Sequence, residues 1–470
     1  MPIRIQPTKI QSGLNRRHFL AGTAALGLTP LLACAPQSRD TATPVPQFDA
    51  YPPIVFVHGN GDTAALWHTT IWRWESAGFP DKRLFAIDFP YPLARSNDAE
   101  YQAGRSSTQD QMEQLSEAVQ LALKQSGAGR VALVGSSRGG NAIRNYLKHG
   151  PGPAFVSHAV LCGTPNHGVI ISNDRLVGSE FNGASPFLRG LNAGSEIVPG
   201  VNWLTLRSDA LDKFAQPDGA GLGMPGVATG VTADGPALAG AKNLVLPGLD
   251  HREVAFHEKA FAATWEFIIG QPPATSKILP ETRPVLNGKV NGMARGVPTN
   301  LPVEGATVEI WETNPQTGAR LHAQPAHRKV TGPDGYWGPF NTSGPTATYE
   351  FVLTVPSQTK THIYRSPFPR SSAHVHLRTA VVADRDRQAG SIVTISRPRG
   401  YFGPGRDIVT FDGQPAPGIP AGVPTNSTST LALPRGTAQR TVVCRCNDET
   451  IAVQSWDASD DRAVIAELHY

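Results

Sequence analysis

Residues 131–141 read Val131-Ala132-Leu133-Val134-Gly135-Ser136-Ser137-Arg138-Gly139-Gly140-Asn141. Four apolar residues form a short buried strand, and a helical segment begins at Asn141. Between them lies G-x-S-x-G, the nucleophile elbow. Its physical demand is specific: Ser137 must occupy a strained turn with its hydroxyl exposed above a sheet. Gly135 and Gly139 remove side chains that would collide with the neighbouring strand and helix.

Working outward, apolar strand-like runs appear at 54–57, 84–87, 158–161, 203–206 and 244–246. Met112, Leu115, Val119 and Ala122 share one face of a helix over 107–126. Val254, Phe261, Trp265 and Ile268 do the same over 252–269. Strands alternating with helices across 53–270 imply a mostly parallel sheet flanked by helices.

A serine hydroxyl needs a base within hydrogen-bond reach. After this kind of elbow the acid and then the His follow, each just past a later strand. Two acids follow 203–206. Asp212 has enough loop for its carboxylate to reach back under the imidazole, and Asp209, at the strand end, is the alternative. His251, after 244–246 and directly before the last helix, is the base. His257 lies inside that helix and reads as a packed surface histidine. His167 follows the strand before the acid, which is out of order. His58-Gly59-Asn60-Gly61, after the first strand, would aim the Asn60 N–H at a developing oxyanion, with the Arg138 N–H as second donor.

These pieces resemble the lipase and esterase branch of the α/β-hydrolases over 53–270. The likeness is strongest to two-domain lipases in which a C-terminal β-barrel domain follows the hydrolase domain. Matching stretches are Val57 to Gly61, Gly135 to Gly139, Gly163-Thr164-Pro165-Asn166-His167-Gly168, Asp212 to Pro217, and Asp250-His251. The resemblance implies Ser137 as nucleophile, Asp212 as acid, His251 as base, hydrophobic esters as substrates and no cofactor. Arg138 departs from the pattern, since small or apolar residues usually follow the nucleophile. An extra residue before Asp212 keeps Asp209 open. Residues 166–200, Gly/Ser-rich with Val169, Ile170, Phe181, Phe187, Leu188 and Leu191, would form a lid or acyl-chain wall. The ester could be a glyceride or a polyester of the polyhydroxyalkanoate type. A non-catalytic cell-envelope binding lipoprotein is the competing reading; it predicts a damaged triad, and this triad is intact.

The first 34 residues read as an address. Arg16-Arg17-His18-Phe19-Leu20 precedes an uncharged apolar stretch to Ala33, the order of a twin-arginine export signal, which carries folded proteins. Leu31-Leu32-Ala33-Cys34 resembles a lipobox that would anchor the mature chain to membrane lipid through Cys34. Ala33-Cys34-Ala35 also fits ordinary signal peptidase, so Cys34 is either acylated or removed. Net charge is +4, and Arg4, Lys9, Arg16 and Arg17 of this segment account for all of it. The remainder offers no nucleic-acid footprint. Residues 35–52 read as a tether.

With 47 Gly, 41 Pro and only 17% charged residues, the chain is loop-rich, and 40% hydrophobic content excludes a disordered one. After a Pro-rich linker at 271–284, short β-prone runs take over. They divide into a prealbumin-like β-sandwich over 285–387 and a second small β domain over 388–470. Runs are expected at 303–311, 349–355, 380–382, 391–395, 407–411 and 441–444. Cys444 and Cys446 point the same way along a strand, and with Cys162 they give no disulfide framework. His374-Val375-His376 reads as a solvated strand face without a third metal ligand. Trp311, Trp337, Tyr349, Phe351 and Tyr364 suggest a docking module, and a monomer is expected. On this reading, deleting 280–470 would spare short soluble esters.

Overall fold

The computed structural model describes residues 48–470 apart from Arg387. The twin-arginine segment, Cys34 and the tether up to 47 lie outside the described residues. The remainder of that tether is docked: Phe48 is buried with its ring 5.3 Å from Phe79 and 5.7 Å from Trp265.

Six strands, β1 (Ile54–Val57), β2 (Leu84–Ala86), β3 (Val131–Ser136), β4 (Val156–Cys162), β5 (Asn202–Arg207) and β6 (Lys242–Val245), form one parallel sheet in the order β2-β1-β3-β4-β5-β6. The helices are α1 (His68–Ser76), α2 (Thr108–Ser126), α3 (Arg138–His149), α4 (Pro186–Asn192), α5 (Glu253–Phe256) and α6 (Glu258–Ile269). Side chains alternate across the sheet, as strand geometry requires. Ile54, Phe56, Ala132 and Val134 pack with Trp74, Phe261 and Trp265 of α1 and α6. Val55, Val57, Val131 and Leu133 pack with Leu115, Val119, Ile143 and Tyr146 of α2 and α3. Expected as one helix, 252–269 breaks at His257. That residue is extended (ψ 152°), and its ring accepts the Lys259 N–H as the cap of α6.

The second half is all-β, but the division at 387/388 is not a break in its main sheet. Seven strands run in the order His327–Val330, Thr307–Thr313, Thr348–Thr354, Lys360–Arg365, Arg462–Glu467, Ser391–Ser396, Thr428–Leu433. The last strand of the chain, Arg462–Glu467, lies parallel to both of its neighbours and stitches the two parts together. A separate sheet holds Gln414–Pro415, Val409–Phe411, Thr441–Cys446 and Glu449–Gln454. No strand forms at 380–382, where Val381 is exposed. Trp337, Tyr349, Phe351 and Tyr364 are core residues rather than an exposed surface: the first three share one buried cluster, and Tyr364 belongs to a second on the other face of the sheet. Trp311 is half-buried beneath the Arg320 guanidinium, 3.9 Å above its ring.

His374-Val375-His376 is not a solvated face. His376 is buried, its Nδ1 accepts the Lys289 N–H at 3.1 Å, and its Nε2 donates to Asp88 Oδ2 at 3.0 Å. Asp88 follows β2 in the first half, so this segment, which forms no strand, faces that half instead of water. Trp72 of α1 makes the same crossing. It packs in the core of the β half with Trp337 and Phe351, and its Nε1 donates to Ser371 O at 2.8 Å.

Candidate active site

Ser137, between β3 and α3, has φ +51° and ψ −118°. Conformations of this kind cost an L residue on the order of 1–3 kcal/mol and persist only where the surroundings enforce them. Here the enforcement is close packing. A Cβ on Gly139 would lie 2.5 Å from Val57 O, one on Gly140 1.8 Å from Thr164 Oγ1, and one on Gly135 2.6 Å from Ile143 Cδ1. Strand, helix and neighbouring loops therefore meet through bare backbone, and Ser137 N donates to Cys162 O at 2.7 Å.

His251 lies between Ser137 and Asp212. Its Nε2 is 3.0 Å from Ser137 Oγ, and its Nδ1 is 3.0 Å from Asp212 Oδ2. The imidazole is buried, with the Phe214 ring edge-on at 4.6 Å. Asp209 is turned elsewhere: Oδ1 accepts the Leu211 N–H and Oδ2 accepts the Gly248 N–H at 2.8 Å. It braces the loop that carries Asp212 against the loop that ends in His251. His167 pairs with Glu196 at 2.8 Å, and neither it nor His257 lines the cavity above Ser137.

That cavity holds about 210 Å³, and Ser137, His251 and Asn60 line it together with Val169, Leu176, Phe181, Phe214, Leu222 and Tyr401. A second space of about 130 Å³ shares Pro165, Phe214 and His251 with it and reaches Asp212 and Arg207. The loop after β1 passes beside Ser137, since a Cβ on Gly59 would lie 3.2 Å from Ser137 Cβ. Asn60 Oδ1 accepts the Ala94 N–H at 2.8 Å. Arg138 opens α3, where the first N–H groups have no intrahelical partner. His58 is buried with Nε2 accepting the Phe89 N–H and Nδ1 donating to Gly59 O; burial holds its pKa below the ordinary value. It is a brace for the loop, not a proton carrier.

Residues beside Asp212 and His251 are held by the β half. Asp250, fully buried, accepts the Tyr401 N–H at 2.8 Å and lies 3.3 Å from Arg406 Nη2. Glu253 pairs with Arg397 at 2.5 Å and Arg406 at 2.8 Å; burial and then the Asp250 charge raise its pKa, against the two guanidinium groups. Arg252 reaches Asp62 and Pro398 O, and Lys213 reaches Thr425 O with its ammonium 4.4 Å above the Tyr401 ring. Burial and the neighbouring Arg252 charge lower the Lys213 pKa.

Tyr401, Glu180 and Glu253 belong to no local sequence pattern, and Asp250 is legible only as the residue before His251. Asp250 and Glu253 beside His251 are buried carboxylates, and their cations come from the β half, distant in the chain.

Residues 52–183 match the family model described as alpha/beta hydrolase fold, and residues 287–382 match that of the lipase C-terminal domain. The first half has the α/β-hydrolase fold, and the β half carries a match to the lipase C-terminal domain. Among solved structures the hydrolase is similar to Aspergillus fumigatus lipase B, at 19% identity and TM-score 0.35 over 48% of this chain and 54% of that one, about half its length. It is also similar to mature lipase BlEst2 of Bacillus licheniformis, at 21% identity and TM-score 0.30 over 43% of this chain and 85% of that one. Carboxylesterase CesB (YbfK) from Bacillus subtilis aligns at 15% identity and TM-score 0.26 over 47% and 85%. No curated protein matches the hydrolase.

Proposed function

We propose that this hydrolase cleaves hydrophobic, long-chain carboxylic esters through an acyl-enzyme on Ser137. The observation that carries the reading is the 3.0 Å and 3.0 Å relay Ser137–His251–Asp212 at the base of an apolar cavity. Ser137 Oγ attacks the ester carbonyl while His251 Nε2 takes its proton. Asp212, on the Nδ1–H, holds the imidazole in the working tautomer and stabilises the imidazolium. The N–H groups of Asn60 and Arg138 receive the oxyanion. His251 then protonates the leaving alcohol and activates the water that frees the acyl group. Val169, Phe181 and Tyr401 supply apolar surface for the acyl chain.

Hydrolysis of p-nitrophenyl esters of increasing acyl length by the purified protein tests this. Ser137→Ala should lower kcat by at least about 10³-fold. Activity retained in that variant would sink the mechanism. Arg16, Arg17 and Cys34 support export by the twin-arginine route with a lipid anchor. Fractionation of cells expressing the Arg16→Lys/Arg17→Lys chain should find it retained in the cytoplasm.

A further inference from the structure

Arg138 stands where the family pattern has a small or apolar residue, and its side chain is wholly buried. All five of its N–H donors are used. Nε and Nη2 donate to Glu180 Oε1 and Oε2, each at 2.7 Å, as a two-pronged pair. Nη1 donates to Ser106 Oγ at 2.9 Å and Pro92 O at 3.1 Å, and Nη2 also donates to Ser106 O at 2.8 Å. A buried ion pair is weak support for stability, since apolar side chains of similar volume often do as well. What it offers is fixed geometry.

Each anchor leads to a piece of the site. Pro92 O also accepts the N–H of Gly61, the residue after Asn60, at 3.1 Å. Glu180 lies between Ser179 and Phe181, both of which line the Ser137 cavity. Phe181 O in turn accepts the N–H of Val169, another wall residue, at 2.8 Å.

Resting on the reading of Ser137 as nucleophile, we infer that Arg138 is a positioning residue. Its guanidinium holds the Asn60 loop, its own N–H and the 179–181 wall in one fixed arrangement around Ser137. Residues 166–200 thereby act as a pinned wall, with Glu180 as the pin.

The test is steady-state kinetics on p-nitrophenyl acetate, butyrate and octanoate with wild type, Ser137→Ala, Glu180→Gln and the double variant Arg138→Met/Glu180→Met. Glu180→Gln keeps the shape but loses the charge and one acceptor. The double variant leaves no unpaired buried charge, so it decides the matter if the single one does not fold. Both should lower kcat on every ester by roughly tenfold or more, as misaimed oxyanion donors do. KM should rise more steeply with acyl length than in wild type, a split that loss of folded protein alone would not produce. A folded double variant with wild-type kcat and chain-length profile overturns the inference. A wild type no more active than Ser137→Ala would instead remove the reading of Ser137, and the clamp with it.

Discussion

Asp212 and Asp209 stand three residues apart after β5, and only their surroundings distinguish them. Asp212 faces His251 Nδ1 at 3.0 Å, whereas both Asp209 oxygens are taken by backbone N–H groups. An Asn at 212 keeps the shape of the carboxylate but donates to, or fails to orient, the imidazole. Asp212→Asn should therefore lower kcat by up to about 10⁴-fold. Asp209→Asn should stay within roughly tenfold while losing some stability, of the order of one hydrogen bond, about 0.5–1.5 kcal/mol. Side-by-side kcat and thermal melts of the two variants check this. If Asp209→Asn is the crippled one, the acid has been placed on the wrong residue.

Between elements, the contacts that matter most join the loop after β2 to the β half. Asp88 accepts the Ala64 N–H and meets both His376 and the Lys289 ammonium, the latter at 2.6 Å. Burial works against its charge, but His376 and Lys289 outweigh burial and hold its pKa well below the ordinary carboxylate value. A depressed folded pKa means that the unfolded chain takes up the proton first as pH falls. The stabilisation is then complete above the unfolded value near ~4 and disappears as pH drops through the lower folded value. Asp88→Asn should lower Tm at pH 7, and the gap to wild type should narrow progressively below pH ~4. Melts across pH 3–7 measure it; a gap that widens in acid would contradict the sign.

For the whole molecule, the interface between the halves changes what truncation is expected to do. Removing 280–470 exposes Trp72, which lies in the core of the β half, and replacing such a buried indole by Ala alone costs about 3–5 kcal/mol. The deletion also strips Arg397 and Arg406 from Asp250 and Glu253, and leaving buried charges unpaired typically costs about 3–5 kcal/mol for each pair broken. Those losses fall beside His251. The expectation that short esters would be spared therefore gives way to another. The truncated chain should be poorly soluble and lose butyrate and palmitate hydrolysis alike. Soluble truncated protein with intact butyrate activity would show that the first half stands alone.

The sequence by itself determined the parallel sheet, the elbow at Ser137 and the placing of His251 and two acids on adjacent loops. These follow from signals confined to a few residues: buried strand runs, a helical period, and glycines where a side chain would collide. Only the tertiary structure decided which acid faces the imidazole and what pairs with the arginine after Ser137. It also decided that Tyr401, 150 residues after His251, walls the site, and that the last strand closes the middle of the second sheet. Each of these depends on a partner distant in the chain. Ion pairs such as Arg138–Glu180, and a parallel strand inserted between two others, leave no periodicity in either partner's own neighbourhood.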